Sequence, residues 1–243
     1  MVPRRIAAVI GAAALMLGAL VGSGPATAGT AAPSDSLPTA VSWAMSTTRT
    51  TFRAPLAVEY LIQLNFLGNW IPIPPSDQDK VVLQRRAAGS TAWRPVATTA
   101  KTVTDKEGKP HYLLVGFRAA GNASYRVVYN SQRDGVQSST STVRWLKVSR
   151  IMGDRGVNRS GRLYIVGNVD PGWGNRPVVF QRRACWNCAW TYYGWAKTGA
   201  YGGFQKRIYA PRAGVWRYRA YVRGTTDFIQ SWTHTFIVRA PSR

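Results

Sequence analysis

The chain has 243 residues, with 32 Lys and Arg against 10 Asp and Glu, and only two Cys and two His. A formal net charge of +22 makes it either an electrostatic attractor for anionic matter or simply a solvated basic surface that keeps it soluble, and so few His, Cys and carboxylates leave little material for metal or acid–base chemistry. Past the N-terminal segment, no long stretch repeats apolar residues at helical spacing. Runs of about four to eight β-favouring residues bounded by turn residues predict an all-β protein instead.

In chain order, the first element is "MVPRRIAAVIGAAALMLGALVGSGPATAGTAAP". Arg4 and Arg5 precede an uncharged run, Ile6 to Val21, and "ATA" at Ala26 to Ala28 is a small-residue cleavage signal. This pattern predicts a secretory signal peptide over 1–28. A membrane anchor is the competing reading, but the run is slightly short of the ~20 residues needed to span a bilayer. The adjacent arginines also allow the twin-arginine route. Residues 29–50, rich in Ala, Ser and Thr, are expected to be a flexible lead-in. The C-terminal "FIVRAPSR" carries no hydrophobic tail, so the mature chain is expected to be secreted, either released or held at the cell wall by non-covalent contacts.

The rest of the chain is an internal repeat. "VVLQRRA" at Val81–Ala87 recurs as "VVFQRRA" at Val178–Ala184, and the same offset of 97 carries Ala92-Trp93 onto Ala189-Trp190. Further on the offset is 93: Ala120-Gly121 matches Ala213-Gly214, Tyr125-Arg126 matches Tyr218-Arg219, and Gln137-Ser138 matches Gln230-Ser231. "GN" at Gly68 also recurs at Gly167. Two modules follow, 51–148 and 149–243, of a size and strand rhythm that suit immunoglobulin-like β-sandwiches. The stretch "VVLQRRAAGSTAW…YRVVYNSQRDGVQSSTSTVRW" resembles the Ig-like or fibronectin-III-like repeats of secreted actinobacterial proteins. That resemblance covers nearly all of residues 55–240 and implies two tandem sandwiches. It leaves function open, because such modules serve as spacers, adhesins and ligand binders alike.

The only cysteines, Cys185 and Cys188, replace Ala88 and Thr91 of the first copy. There Gly89-Ser90 reads as a two-residue turn, which would make the cysteines a cross-strand pair flanking Trp186-Asn187. In an exported chain this predicts a structural disulfide. Metal binding and a redox-labile pair are the alternatives. A zinc site needs about four ligands, and His111, the natural partner to His234, aligns with Phe204 and so belongs to the other module. A redox CxxC belongs beside a βαβ unit, and none is visible.

No nucleophile elbow, HExxH or phosphate-cradling glycine loop occurs, so the chain is expected not to be an enzyme and to need no cofactor or metal. Asp77 and Asp79 in "PPSDQDK" read as a solvated turn rather than a calcium site. Asn122 and Asn158 match the glycosylation acceptor pattern at chance level.

Charge and aromatics are concentrated in the second module. Residues 29–148 carry 14 basic and 7 acidic side chains, whereas residues 149–243 carry 16 and 3, net +13. Strand alternation in "VWRYRAYV" and "VVFQRR" turns Arg183, Arg217, Arg219 and Tyr221 to one outer face, rimmed by Trp186. That face is expected to bind an anionic cell-wall polymer or glycan, without specific recognition of nucleic acid. A structural or protein-interaction module with no polyanion ligand is one alternative, and an unrecognised secreted enzyme or inhibitor is another.

Overall fold

The computed structural model describes residues 36–77, 79–106, 108 and 110–240. The signal peptide expected over 1–28 lies outside the described residues, as does the start of the lead-in. All regular structure among the described residues is β, in two tandem immunoglobulin-like sandwiches.

In the first sandwich, one sheet runs in the order β1 (Thr39–Met45), β3 (Pro55–Phe66), β8 (Pro110–Arg118), β7 (Thr99–Thr104), with β4 (Asn69–Ile73) also paired to β3. The facing sheet runs β2 (Arg49–Thr51), β11 (Arg144–Ser149), β9 (Ala123–Asn130), β5 (Lys80–Ala87), β6 (Arg94–Pro95), with β10 (Ser139–Thr140) on β9. Period-2 alternation drives the packing. In β9, Tyr125, Val127 and Tyr129 are fully buried and meet Leu83, Leu146, Val58 and Ile62 in one core.

The second sandwich sets the sheet β12 (Ile151–Arg159), β13 (Arg162–Asp170), β16 (Gly203–Ile208) against β15 (Thr191–Lys197), β14 (Pro177–Arg183), β17 (Val215–Val222), β18 (Ser231–Trp232), with β19 (Phe236–Arg239) also on β17. Its core joins Ile165, Val169 and Phe204 to Val178, Phe180, Tyr218 and Ala220. The Tyr218 hydroxyl donates to the Tyr209 carbonyl at 2.8 Å, the tie between a tyrosine and upstream backbone known from such sandwiches.

Two expectations need correction. The lead-in does not extend to residue 50: Thr39–Met45 pairs along β3 from Thr39↔Leu64 to Met45↔Val58, because Val41 and Trp43 alternate into the core. The Gly68/Gly167 match is not a structural equivalence. Gly68 has φ 85° and turns the β3–β4 hairpin, whereas Gly167 lies inside β13, where its missing side chain makes room for the Phe204 ring. The repeats also diverge after their matching loops. In the first, β6 ends at Pro95, the Val96 N–H adds one further bond to the Leu83 carbonyl at 2.8 Å, and the chain then crosses to pair β7 with β8. In the second, Tyr192 stands at that position and β15 stays on β14 as far as Lys197.

The modules meet closely. Only Arg150 separates β11 from β12, and its guanidinium lies 4.7 Å from the Trp173 ring centre and 4.4 Å from that of Phe228. Burial first, and Arg176 second, push this guanidinium below its usual pKa. The buried Asn122 side chain donates to the Thr226 carbonyl at 2.9 Å and accepts from the Val148 N–H at 2.8 Å. The rings of Phe52 and Phe228 pack edge-on across the same junction.

Candidate binding face on the second module

The strands β14 and β17 are direct antiparallel neighbours, with Val179↔Tyr221, Gln181↔Arg219 and Arg183↔Arg217 in register. Phe180, Tyr218 and Ala220 take the core side. Arg183, Arg217, Arg219 and Tyr221 therefore share the outer face. The like charges of Arg183 and Arg217 stand directly opposite, an arrangement that is unfavourable unless something intervenes.

Tryptophan rings intervene. Arg183 lies over Trp186 at 5.1 Å and over Trp190 at 4.5 Å, and Arg217 lies over Trp186 at 5.4 Å. Arg219 lies over Trp190 at 4.2 Å and over Trp232 at 4.0 Å. The Trp232 ring in turn packs against Tyr221 at 4.7 Å. The outer face is thus a ladder of alternating guanidinium and indole planes. Arg219 Nε donates to Gln181 Oε1 at 2.9 Å, which fixes the plane of one rung. Burial first, and the charge of Arg183 second, hold the Arg219 pKa below its usual value.

The ladder grows from a smaller unit in the first module. There Trp93 sits between Arg86 at 4.9 Å and Arg126 at 4.3 Å, and Arg126 Nε donates to Gln84 Oε1 at 2.8 Å. These are the repeat partners of Trp190, Arg183, Arg219 and Gln181. The positions of Trp186, Arg217, Tyr221 and Trp232 hold Gly89, Ser124, Val128 and Ser139 in the first copy. Only the second module extends the clamp into a ladder.

Cys185 and Cys188 are joined by a disulfide, with Cα atoms 5.1 Å apart. They do not flank a two-residue turn. β14 ends at Arg183 and β15 starts at Thr191, so both cysteines sit within the connecting loop. Gly89-Ser90 lies in a similarly wide loop between β5 and β6. The bridge ties off the loop segment that carries Trp186, which is 65% exposed.

A bulge shapes the rest of the face. The β14–β15 register shifts between Phe180↔Gly194 and Gln181↔Tyr192, leaving Tyr193 unpaired. Gly194 has φ 146°, which favours glycine. Tyr193 turns inward against Tyr218, with ring centres 5.0 Å apart, while Tyr192 and Trp195 both remain outside, 67% and 55% exposed. Trp195, Val179 and Tyr221 then form one row across three strands. The adjacent row holds Lys197 opposite Pro177, with Arg223 two residues beyond Tyr221. Between them lies a groove of about 740 Å³, closed at one end by the buried Trp173 and by Arg176, whose guanidinium lies 5.1 Å from that ring. Sequence alternation finds the arginines and Tyr221. It misses Trp195 and Tyr192, because the bulge breaks the parity that would place them. Trp190 and Trp232 carry a usable signal: one repeats Trp93, and the other follows the matched Gln230-Ser231 pair.

The acids of the second module lie elsewhere. Asp154, whose pKa burial raises, sits 2.7 Å from His234 Nδ1, Asp170 pairs with Arg53, and Asp227 lies near Arg150. In the first module, His111 bridges Glu59 and Asp105 through its two ring nitrogens, which point apart and do not converge on a cation. Among the described residues no His, Cys, Asp and Glu group is arranged to hold a metal ion. Asp79 is not a solvated turn residue. Its side chain is fully buried against Arg133 at 2.6 Å, and although burial pushes its pKa up, hydrogen bonds from Ser76, Gln132 and Arg133 hold it below the usual carboxylate range.

No protein-family model and no curated protein matches this chain. Among solved structures, the adhesin InvE of Yersinia pseudotuberculosis is similar at 11% identity and a TM-score of 0.28, over 83% of this chain. The chain spans 59% of the length of that adhesin chain. No helix among the described residues is long and apolar enough to cross a membrane.

Proposed function

We propose that this chain is an exported, non-enzymatic binding protein whose second module holds anionic cell-envelope polymers or acidic glycans on the outer face of the β15–β14–β17–β18 sheet. One observation carries this reading: the charges of Arg183, Arg217 and Arg219 are held by indole rings, and among the described residues no carboxylate pairs with them. A guanidinium held over an indole ring keeps its terminal N–H edge for a phosphate or carboxylate, which accepts two bonds at once, while the Nε atoms of Arg183 and Arg217 are buried and that of Arg219 is bonded to Gln181. Three such edges along one ladder, on a module of net +13, suit a chain of regularly spaced anions better than a single small ion.

The test is co-sedimentation of protein spanning residues 29–243 with isolated cell walls across a salt series. Binding is expected to fall steeply with salt and to be lost when Arg217 and Arg219 become Glu, with folding checked by circular dichroism. Wild-type protein that stays in the supernatant at low salt would overturn the reading and direct the search to a protein partner.

A further inference from the structure

The groove beside the ladder has its own chemistry, distinct from that of the arginine rungs. Its aromatic row places a small residue, Val179, between two large ones, Trp195 and Tyr221. Adjacent strands lie about 4.8 Å apart, so the two aromatic backbones are separated by roughly 10 Å. That leaves a trough whose floor is Val179 and whose walls are rings. Its volume of about 740 Å³ lies within the range of small-molecule sites, roughly 300–1,000 Å³. Trp195 and Tyr192 are more than half exposed, and the structure gives neither ring a stacking partner or a hydrogen bond. They cover little of the core, so the fold itself does not account for them.

The next row repeats the pattern with charge. Pro177 is the small central residue, flanked by Lys197 on one strand and Arg223 beyond the end of the other. Residues two apart along a strand lie about 7 Å apart. The groove therefore presents an aromatic slot and, one row away, a cationic one. Its lining contains no Asp or Glu.

We propose that this groove is a subsite for a single pyranose ring bearing an anionic substituent, with the ring against Trp195 and Tyr221 and the carboxylate or phosphate between Lys197 and Arg223. The C–H bonds on one face of a pyranose carry partial positive charge and meet the negative face of an aromatic ring. The exocyclic acid of the same sugar then reaches the neighbouring row. A nucleobase also stacks on indole, but its phosphate hangs on a separate ribose rather than on the stacked ring itself. The inference rests on the reading of this sheet as an anionic-polymer face, and it names the repeating unit of that polymer as an acidic sugar.

The experiment uses three probes with the protein of residues 29–243: a galacturonic acid trimer, a neutral galactose-based trimer and inorganic polyphosphate, each titrated by tryptophan fluorescence and calorimetry. The uronate trimer is expected to saturate and to bind at least tenfold more tightly than the neutral one. A hexose 6-phosphate run in parallel tells carboxylate from phosphate preference. Trp195→Ala should weaken the uronate at least tenfold and leave polyphosphate binding unchanged. Tyr192→Ser, at a more exposed position, should do the same in a smaller degree and guards against misfolding. Lys197→Gln with Arg223→Gln should bring the uronate down to the neutral trimer. Polyphosphate binding without uronate binding would overturn the sugar subsite and leave the polyanion face standing. No binding of either would overturn both. Equal affinity for the neutral trimer, or an indifferent Trp195→Ala, would also overturn the subsite.

Discussion

Arg219 is clamped between Trp190 and Trp232, its guanidinium 4.2 and 4.0 Å from the two ring centres. Each contact of this kind contributes about 0.5–2 kcal/mol, more as the cation loses water. Arg219→Ala also strands Gln181 and is expected to cost about 1–3 kcal/mol in denaturant unfolding. Arg219→Lys should recover little of this, because an ammonium lacks the plane that faces both rings. A double-mutant cycle with Trp232→Ala isolates the second contact. A coupling energy of zero would show that the ladder is geometric and contributes nothing to stability.

Gly194 sets the bulge that keeps Tyr192 and Trp195 on the same outer face. A β-branched residue at φ 146° is strained by about 1–3 kcal/mol, and its Cβ would also meet Lys206 Nζ at 3.1 Å, a flexible chain end that can move aside. Gly194→Val is therefore expected to lower the melting temperature and to alter the exposure of Trp195, read as a shift in its fluorescence and in acrylamide quenching. An unchanged emission spectrum would mean that the bulge does not set the position of Trp195.

Legibility in the sequence follows local periodicity. "VVFQRR" and "VWRYRAYV" alternate cleanly, so the shared outer face of Arg183, Arg217, Arg219 and Tyr221 follows from parity alone. The repeat offsets of 97 and 93 fall on structurally equivalent strands, β5 with β14 and β9 with β17. Parity fails in "TYYGW", where aromatics stand on both sides of a glycine and nothing in their hydropathy marks the extra residue. It also fails for "TAVSWAM", whose small polar residues hide the alternation of Val41 and Trp43. The pairing of β7 with β8 depends on which sheet edge is free after Pro95, a non-local fact that a local pattern does not carry.

His111 is expected to make the stability of the first module pH-dependent. Its hydrogen bond to Glu59, and after it the one to Asp105, raise its pKa above the usual value. A raised folded-state value means that protonation stabilises the fold. The contribution is complete below the unfolded pKa of about 6.5 and disappears as pH climbs through the higher folded value. The melting temperature is thus expected to fall between mildly acidic and mildly alkaline buffer. His111→Phe, which installs the residue found at the matching position of the second module, should flatten that slope. A slope that survives the substitution would assign the dependence to another group.

Asn122 ties the two sandwiches together through its side chain, bonded to Thr226 of one and Val148 of the other. Its own N–H also donates to the Asp227 carbonyl at 2.7 Å. Truncation to Ala removes both side-chain bonds; the Thr226 carbonyl, on an exposed residue, can turn to water, but the buried Val148 N–H is left without a partner, at about 1–3 kcal/mol. That loss falls on the junction rather than on either core. Arg150, between the Trp173 and Phe228 rings, depends on the same contact remaining closed. The wild-type protein is expected to unfold in one calorimetric transition, and Asn122→Ala to separate it into two. A single transition that only shifts downward would place Asn122 within the cooperative core of the first sandwich and deny it a coupling role. The same burial predicts that Asn122 stays unmodified in a glycosylating host while the exposed Asn158 is available, which mass spectrometry of the expressed protein reads directly.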